Sequence, residues 1–162
     1  MKNLILVRHA KSSWKHNVID HERPLKKRGF NDADLISKKL KEININIDLV
    51  LSSDATRAKT TANIFVTNLN IDDNIFYLKH DLYDFSGNDL VKVVKSCDNS
   101  INNLMIFGHN HAITDFVNTF GNIHIENVPT CGVTIISFKI ESWKNLNKGT
   151  TIKTLFPRDF KA

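Results

Sequence analysis

The chain has 162 residues, 41% hydrophobic and 24% charged, which suits one globular domain with its own core, expected over residues 1–162. No apolar run approaches the roughly 20 residues that cross a bilayer, and residues 4–7 are too short an apolar stretch for a secretory leader, so a cytoplasmic protein away from membranes is expected. The net charge of +5 favours anionic partners, but Lys and Arg are scattered among Asp and Glu, which argues against a nucleic-acid face and for phosphorylated small molecules or phosphoproteins.

Taken in order, the apolar pattern alternates between strand and helix. Residues 4–7 (LILV) read as a first strand, and Phe30, Ala33, Ile36 and Leu40 recur at helical spacing within 29–40. Residues 47–51 (IDLVL) predict a second strand, and 58–69 a helix through Ala62, Phe65, Val66 and Leu69. A short strand follows at 75–78, then a helix marked by Leu90, Val93, Val94 and Cys97. Residues 104–107 (LMIF) form the next strand and 113–120 a helix; strands at 133–138 and 150–155, read as an antiparallel pair, close the chain. This alternation predicts an α/β layered sheet, mostly parallel, with helices on both faces. The two cysteines, Cys97 and Cys131, make neither a disulfide framework nor a metal knuckle and read as free thiols.

Three strand ends are chemically unusual. The first runs into Arg8-His9, the second into Ser52-Ser53-Asp54-Ala55-Thr56-Arg57, and the LMIF strand into Gly108-His109-Asn110. Ligands of parallel α/β sheets bind outside the carboxyl ends of the strands, so these distant segments are expected to converge. Two arginines offer forked donors for phosphate oxygens. Two histidines can each serve as nucleophile, donor or cation. Phosphoryl transfer needs chiefly positioning and charge stabilisation, and a histidine attacking phosphorus would divide it into two easier steps.

At these residues the sequence resembles the histidine phosphatase (phosphoglycerate mutase-like) superfamily, in its small SixA-like phosphohistidine phosphatase branch. Arg8-His9-Ala10 stands where the superfamily carries Arg-His-Gly, so the resemblance implies His9 as nucleophile with Arg8 beside it. SSDATRAKTT, residues 52–61, matches S-x-x-x-R-A-x-x-T and implies Arg57 as a second phosphate-binding arginine; Gly108-His109-Asn110 matches the motif supplying the second pocket histidine. The SixA-like branch shows in RHAKSSW (8–14), in Glu22-Arg23-Pro24-Leu25 followed by Lys27-Arg28-Gly29, and in Pro129-Thr130-Cys131-Gly132-Val133. In relatives the segment around Arg23 brings another arginine to the phosphate. Larger relatives carry a glutamate acid after the third strand; the matching region is 80–84, where Asp81 is expected by position and Asp84 stands second. Ser12 and Asn110 are expected against the substrate.

The resemblance implies a three-layer αβα sandwich, mostly parallel with an antiparallel edge. It also implies a metal-independent, cofactor-free phosphatase acting through phospho-His9 on phosphohistidine in a protein, such as a histidine phosphotransfer domain, or on small phosphomonoesters. Phosphohistidine is a phosphoramidate whose imidazole departs easily, so a weak acid, or none, suffices. A binding module without turnover is the alternative, with a phosphoglycerate mutase-type phosphotransferase less favoured because the chain is short. Little chain lies between Asp81 and Leu104 to build a lid, so an open pocket is expected. His111 and His109 form an HxH pair with no third ligand evident, hence no metal site is expected there. His16, His21, His80 and His124 read as surface histidines, and Trp14 packs over the pocket rim or covers the core.

Overall fold

A computed structural model describes residues 1–161. The strands are β1 (Lys2–Arg8), β2 (Leu49–Ser52), β3 (Phe76–Leu78), β4 (Asn103–Gly108), β5 (Val133–Phe138) and β6 (Thr150–Leu155). The helices are α1 (Lys27–Ile43), α2 (Thr56–Asn68), α3 (Asn88–Lys95) and α4 (Ala112–Phe120). Every expected segment is present, with its ends moved by at most three residues. The sheet runs β3-β2-β4-β1-β5-β6. β1, β2, β3 and β4 are mutually parallel, while β5 is antiparallel to both β1 and β6.

Alternation along β1 builds the layers, because successive strand side chains point to opposite faces. Leu4 and Leu6 enter a core with Leu90, Val93 and Val94 of α3 and Ile113, Phe116 and Val117 of α4. Ile5 and Val7 enter the other core, with Ile36 and Leu40 of α1 and Ala62, Phe65 and Val66 of α2. Strands buried on both faces need no polar alternation, which is why LILV, LVL and LMIF read as continuous apolar runs. Among the described residues no helix is long and apolar enough to cross a membrane. Cys131 is buried and Cys97 half-buried; both are free thiols.

Two local contacts fix the loop after β1. The backbone N–H of Cys131 reaches the carbonyls of Arg8 (3.1 Å) and His9 (3.0 Å). On the other side, a Cβ at Gly29 would lie 2.2 Å from the Lys11 carbonyl oxygen, so α1 can press its first turn against this loop only with glycine there. All four parallel strands deliver their carboxyl ends to one edge of the sheet.

Candidate active site

β4 lies between β1 and β2, pairing Arg8 with Gly108 and Ser52 with Phe107. Arg8-His9, Ser53 and His109 are therefore neighbours at that edge. They open onto a cavity of about 280 Å³ lined by Arg8, His9, Lys11, Ser12, Trp14, Asp20, Arg23, Arg57, Phe85, His109, Asn110 and Thr130. A somewhat larger cleft, about 320 Å³ beside Leu40, Ile45 and Leu69, lies away from these residues and carries no cluster of reactive groups.

His9 is held by its backbone and by one ring nitrogen. Its N–H donates to the Gly108 carbonyl (3.1 Å), and Nδ1 lies 2.7 Å from the Ala10 carbonyl. A carbonyl only accepts, so Nδ1 carries the proton and Nε2 keeps its lone pair. Burial, with further repulsion from Arg57, Arg8 and Arg23, pushes the His9 pKa down to about 3, against the opposing bond to Ala10. The ring is neutral at pH 7.

The S-x-x-x-R-A-x-x-T segment has a mechanical reading at each fixed position. Ser53 Oγ lies 2.8 Å from His109 Nε2 and accepts from the Ala55 N–H at 3.1 Å. Arg57, 2% exposed, projects from the first turn of α2. Ala58 is fully buried. Thr61 donates to the Arg57 carbonyl (2.7 Å) and accepts from the Ala10 N–H (2.9 Å), tying α2 to the nucleophile loop.

His109 stands 5.2 Å from His9, ring centre to ring centre, and packs against the rings of Tyr83 and Phe85, which also touch each other. Burial, followed by His9 and Arg57, pushes its pKa down to about 2. His109 Nδ1, Arg8 Nε and Arg57 Nε are buried without a hydrogen-bond partner, and all belong to side chains lining the cavity. The two arginine Nε–H groups are donors whatever the tautomer of His109, and leaving buried donors unpaired is costly. Such donors suit an anion rich in acceptors.

Arg23 is carried in by a short strand-like contact between Ser12 and Leu25 and by the Ser13 N–H bonding to the Pro24 carbonyl. Its guanidinium donates to Ser12 Oγ (2.7 Å) and lies 3.5 Å from the centre of the Trp14 ring. Trp14 thus stands at the rim, 76% exposed, rather than over the core. Asn110 lines the cavity, but its amide is engaged: Oδ1 accepts from Thr114 Oγ1 (2.9 Å) and Nδ2 donates to Asn127 Oδ1 (2.9 Å).

The carboxylates fall differently from expectation. Asp81 is exposed on the turn His80–Leu82 and is not among the lining residues. Asp84 is buried, accepting from the N–H groups of Gly87, Asp89 and Leu90 at the start of α3. Among the described residues, the acid that lines the cavity is Asp20. Its Oδ2 accepts from Arg57 Nη2 (3.0 Å) and Tyr83 (2.6 Å), its Oδ1 from Arg23 Nε (3.0 Å), and its backbone carbonyl from Arg57 Nη1 (2.7 Å). Burial pushes its carboxyl up, but the bonds from Tyr83, Arg23 and Arg57 outweigh this and hold its pKa well below the usual carboxylate range. Sequence reasoning passed over Asp20, Tyr83 and Phe85; the available signal was the place of Asp20 three residues before Arg23, in a segment already marked by its motif. His21 and His80, expected as separate surface histidines, meet at Asp54.

Comparison with known proteins bears on the fold that carries this site. Residues 4–76 match the model of the histidine phosphatase superfamily (branch 1). A chloroplastic protein of Arabidopsis thaliana is 28% identical over 88% of this chain and 69% of its own length. A protein of Mycobacterium tuberculosis is 31% identical over 64% of this chain, and the match spans 62% of that protein. Both are themselves uncharacterised. In structure, the protein histidine phosphatase SixA complexed with tungstate superposes with a TM-score of 0.84 at 18% identity, covering 98% of this chain and 99% of that one. A phosphoglycerate mutase from Bacillus anthracis superposes at 0.62 and 15% identity, covering 88% and 93%. The fold is thus SixA-like and phosphoglycerate mutase-like along nearly its whole length, and residues 4–76, a little under half of the chain, are similar to the histidine phosphatase superfamily.

Proposed function

We propose that the protein, as one domain over residues 1–162, is a phosphatase that removes phosphoryl groups through a covalent intermediate on His9. The observation that carries the reading is the state of His9: Nδ1 is engaged with the Ala10 carbonyl while Nε2 keeps a lone pair among Arg8, Arg23, Arg57 and His109. In the step proposed, His9 Nε2 forms a bond to phosphorus as the bond to the leaving group breaks in line. Arg8, Arg57 and Arg23 stabilise the charge on the equatorial oxygens, and His109 donates to one of them through Nδ1. Water then cleaves the Nε2–P bond, releasing inorganic phosphate and restoring neutral His9.

Phosphohistidine on a protein is the favoured substrate. Its imidazole leaves with modest protonation, which fits a cavity whose lining acid is an ion-paired carboxylate rather than a poised acid. The rim supports the same choice: α3 contributes nothing to the lining, and Trp14 and Phe85 are exposed beside the opening. A histidine phosphotransfer domain or another phosphorylated protein fits such a mouth, as do small phosphomonoesters, and the likeness to SixA, a protein histidine phosphatase, supports this reading.

The test is hydrolysis of a phosphoramidate and an aryl phosphate by wild type and His9→Ala, with EDTA present. Turnover by wild type, faster on the N–P bond and absent in His9→Ala, is the expected result. Absence of turnover with retained vanadate binding would instead make the protein a phosphate-dependent binding module.

A further inference from the structure

A second group of reactive side chains lies beside the phosphate cavity but outside its lining. His21, Asp54 and His80 present one ligand atom each, all within 4.8 Å of one another. His21 Nε2 is 2.7 Å from Asp54 Oδ1, and His80 Nδ1 is 3.0 Å from Asp54 Oδ2. We propose that these three residues form a zinc-class divalent metal site, independent of the phosphatase reading, with a coordination position left for water.

Three separate segments bring the ligands together, and each is anchored by contacts unrelated to the cluster. β2 and β3 pair Ser52 with Leu78, so Asp54 and His80, each two residues further on, stand level at the strand ends. The Lys79 N–H bonding to the Ser52 carbonyl (2.7 Å) extends that pairing towards them. His21 follows Asp20, whose carbonyl and carboxylate are both held by Arg57. The Tyr83 ring meets His21 edge-on at 4.9 Å and His80 at 5.9 Å, limiting where either imidazole can turn.

The spacing and donor types suit the ion. Zinc binds imidazole nitrogen and carboxylate oxygen at about 2.0–2.2 Å with tetrahedral geometry, which sets neighbouring ligand atoms roughly 3.3 Å apart. The two histidine–carboxylate separations, 2.7 and 3.0 Å, need to open by only a few tenths of an ångström. In the metal-free protein the facing ring nitrogens donate to Asp54. On binding, each imidazole presents a lone pair there and carries its proton on the other nitrogen, the tautomer exchange open to any neutral histidine. Two imidazoles and one carboxylate, partly open to solvent, resemble three-ligand zinc sites that keep a water rather than closed structural ones.

The consequence falls on the cavity mouth. An ion here would lock the turn bearing Asp20 to the ends of β2 and β3 without touching the phosphate, so chelation leaves turnover intact while occupancy stiffens the rim.

The experiment uses the full chain, stripped with EDTA and dialysed, then titrated with Co²⁺ as a spectroscopic substitute for Zn²⁺. The expected result is a one-to-one complex with the intense visible absorption of four-coordinate cobalt, displaced by Zn²⁺. At a hundredfold excess over its Kd, Zn²⁺ should raise the unfolding midpoint by up to about 5–10 °C. Partners outside the ligand shell alone are worth roughly 10–100-fold in affinity, so His80→Ala and His21→Ala should each weaken binding by at least about 100-fold. His9→Ala and His111→Ala should bind as wild type. His80 is largely exposed, so its replacement does not threaten folding, and circular dichroism confirms this for each variant. The proposal is overturned if wild type gives no saturable four-coordinate spectrum, if His80→Ala binds unchanged, or if His9→Ala abolishes binding. Because the readout is metal spectroscopy, it stands or falls separately from the turnover assay.

Discussion

At the scale of single residues, Asp20 is the most consequential departure from expectation. A carboxylate placed on two arginines meant for phosphate does two opposing things. It orients Arg57 and Arg23 through their hydrogen bonds, and its charge repels the incoming anion. At about 4 Å and an effective dielectric near 20, such a repulsion is on the order of 4 kcal/mol before rearrangement. Asp20→Asn keeps an acceptor for the guanidinium groups and removes the charge. The expected outcome is a vanadate inhibition constant lower by about tenfold, a shift of roughly 1.4 kcal/mol, with kcat changed less than the affinity. A weaker inhibition constant in the variant would show that ordering the arginines outweighs the repulsion. Asp20 was illegible in sequence for a physical reason: it sits on a three-residue turn, Asp20–Glu22, whose place comes from the distant side chains of Arg57 and Tyr83 rather than from any local periodicity.

Among the elements, the two aspartates after β3 separate cleanly by the work each does. Asp84 accepts three backbone N–H groups at the head of α3, satisfying donors that a helix start leaves open. Removing such a cap costs about 0.5–2 kcal/mol. Asp84→Ala should therefore lower the urea midpoint by that equivalent, while Asp81→Ala, at an exposed position off the cavity, should leave both the midpoint and turnover as in wild type. A fall in kcat of tenfold or more in Asp81→Ala, seen most clearly with an aryl phosphate, would restore Asp81 as the acid. Helices and strands were legible because each buries a face with its own period: Ile36 and Leu40 on α1, Leu4 and Leu6 against Ile5 and Val7 on β1. Arg8, His9, Arg57 and His109 were legible because topology alone brings the ends of three parallel strands together. Asp81 misled because position after a strand says nothing about which side of a turn faces the cavity.

For the whole molecule, the buried histidines link stability to pH. Above about pH 6.5 both imidazoles are neutral whether the chain is folded or not. Below it, the unfolded chain binds protons that the folded chain refuses until about pH 3 at His9 and about pH 2 at His109. Stability is therefore complete above pH 6.5 and is lost progressively as pH falls, with a limiting slope of about 1.4 kcal/mol per pH unit for each histidine. Urea unfolding between pH 7.5 and 5.0 should show the loss, and His9→Gln should flatten the slope by about 1 kcal/mol per pH unit at its lower end. An equal slope in both proteins would mean that His9 titrates normally in the folded chain.

The order of strands in the sheet also says something about synthesis. β4 fills the gap between β1 and β2, yet it begins only at Asn103. A nascent chain that has passed β2 and β3 but not β4 holds two apolar edges facing a vacant slot, the kind of unpaired backbone that recruits other chains. It already carries Arg8, His9 and Arg57 but no His109. The anion pocket therefore gains its second histidine when the slot is filled, so the event that covers those two edges also brings His109 beside His9.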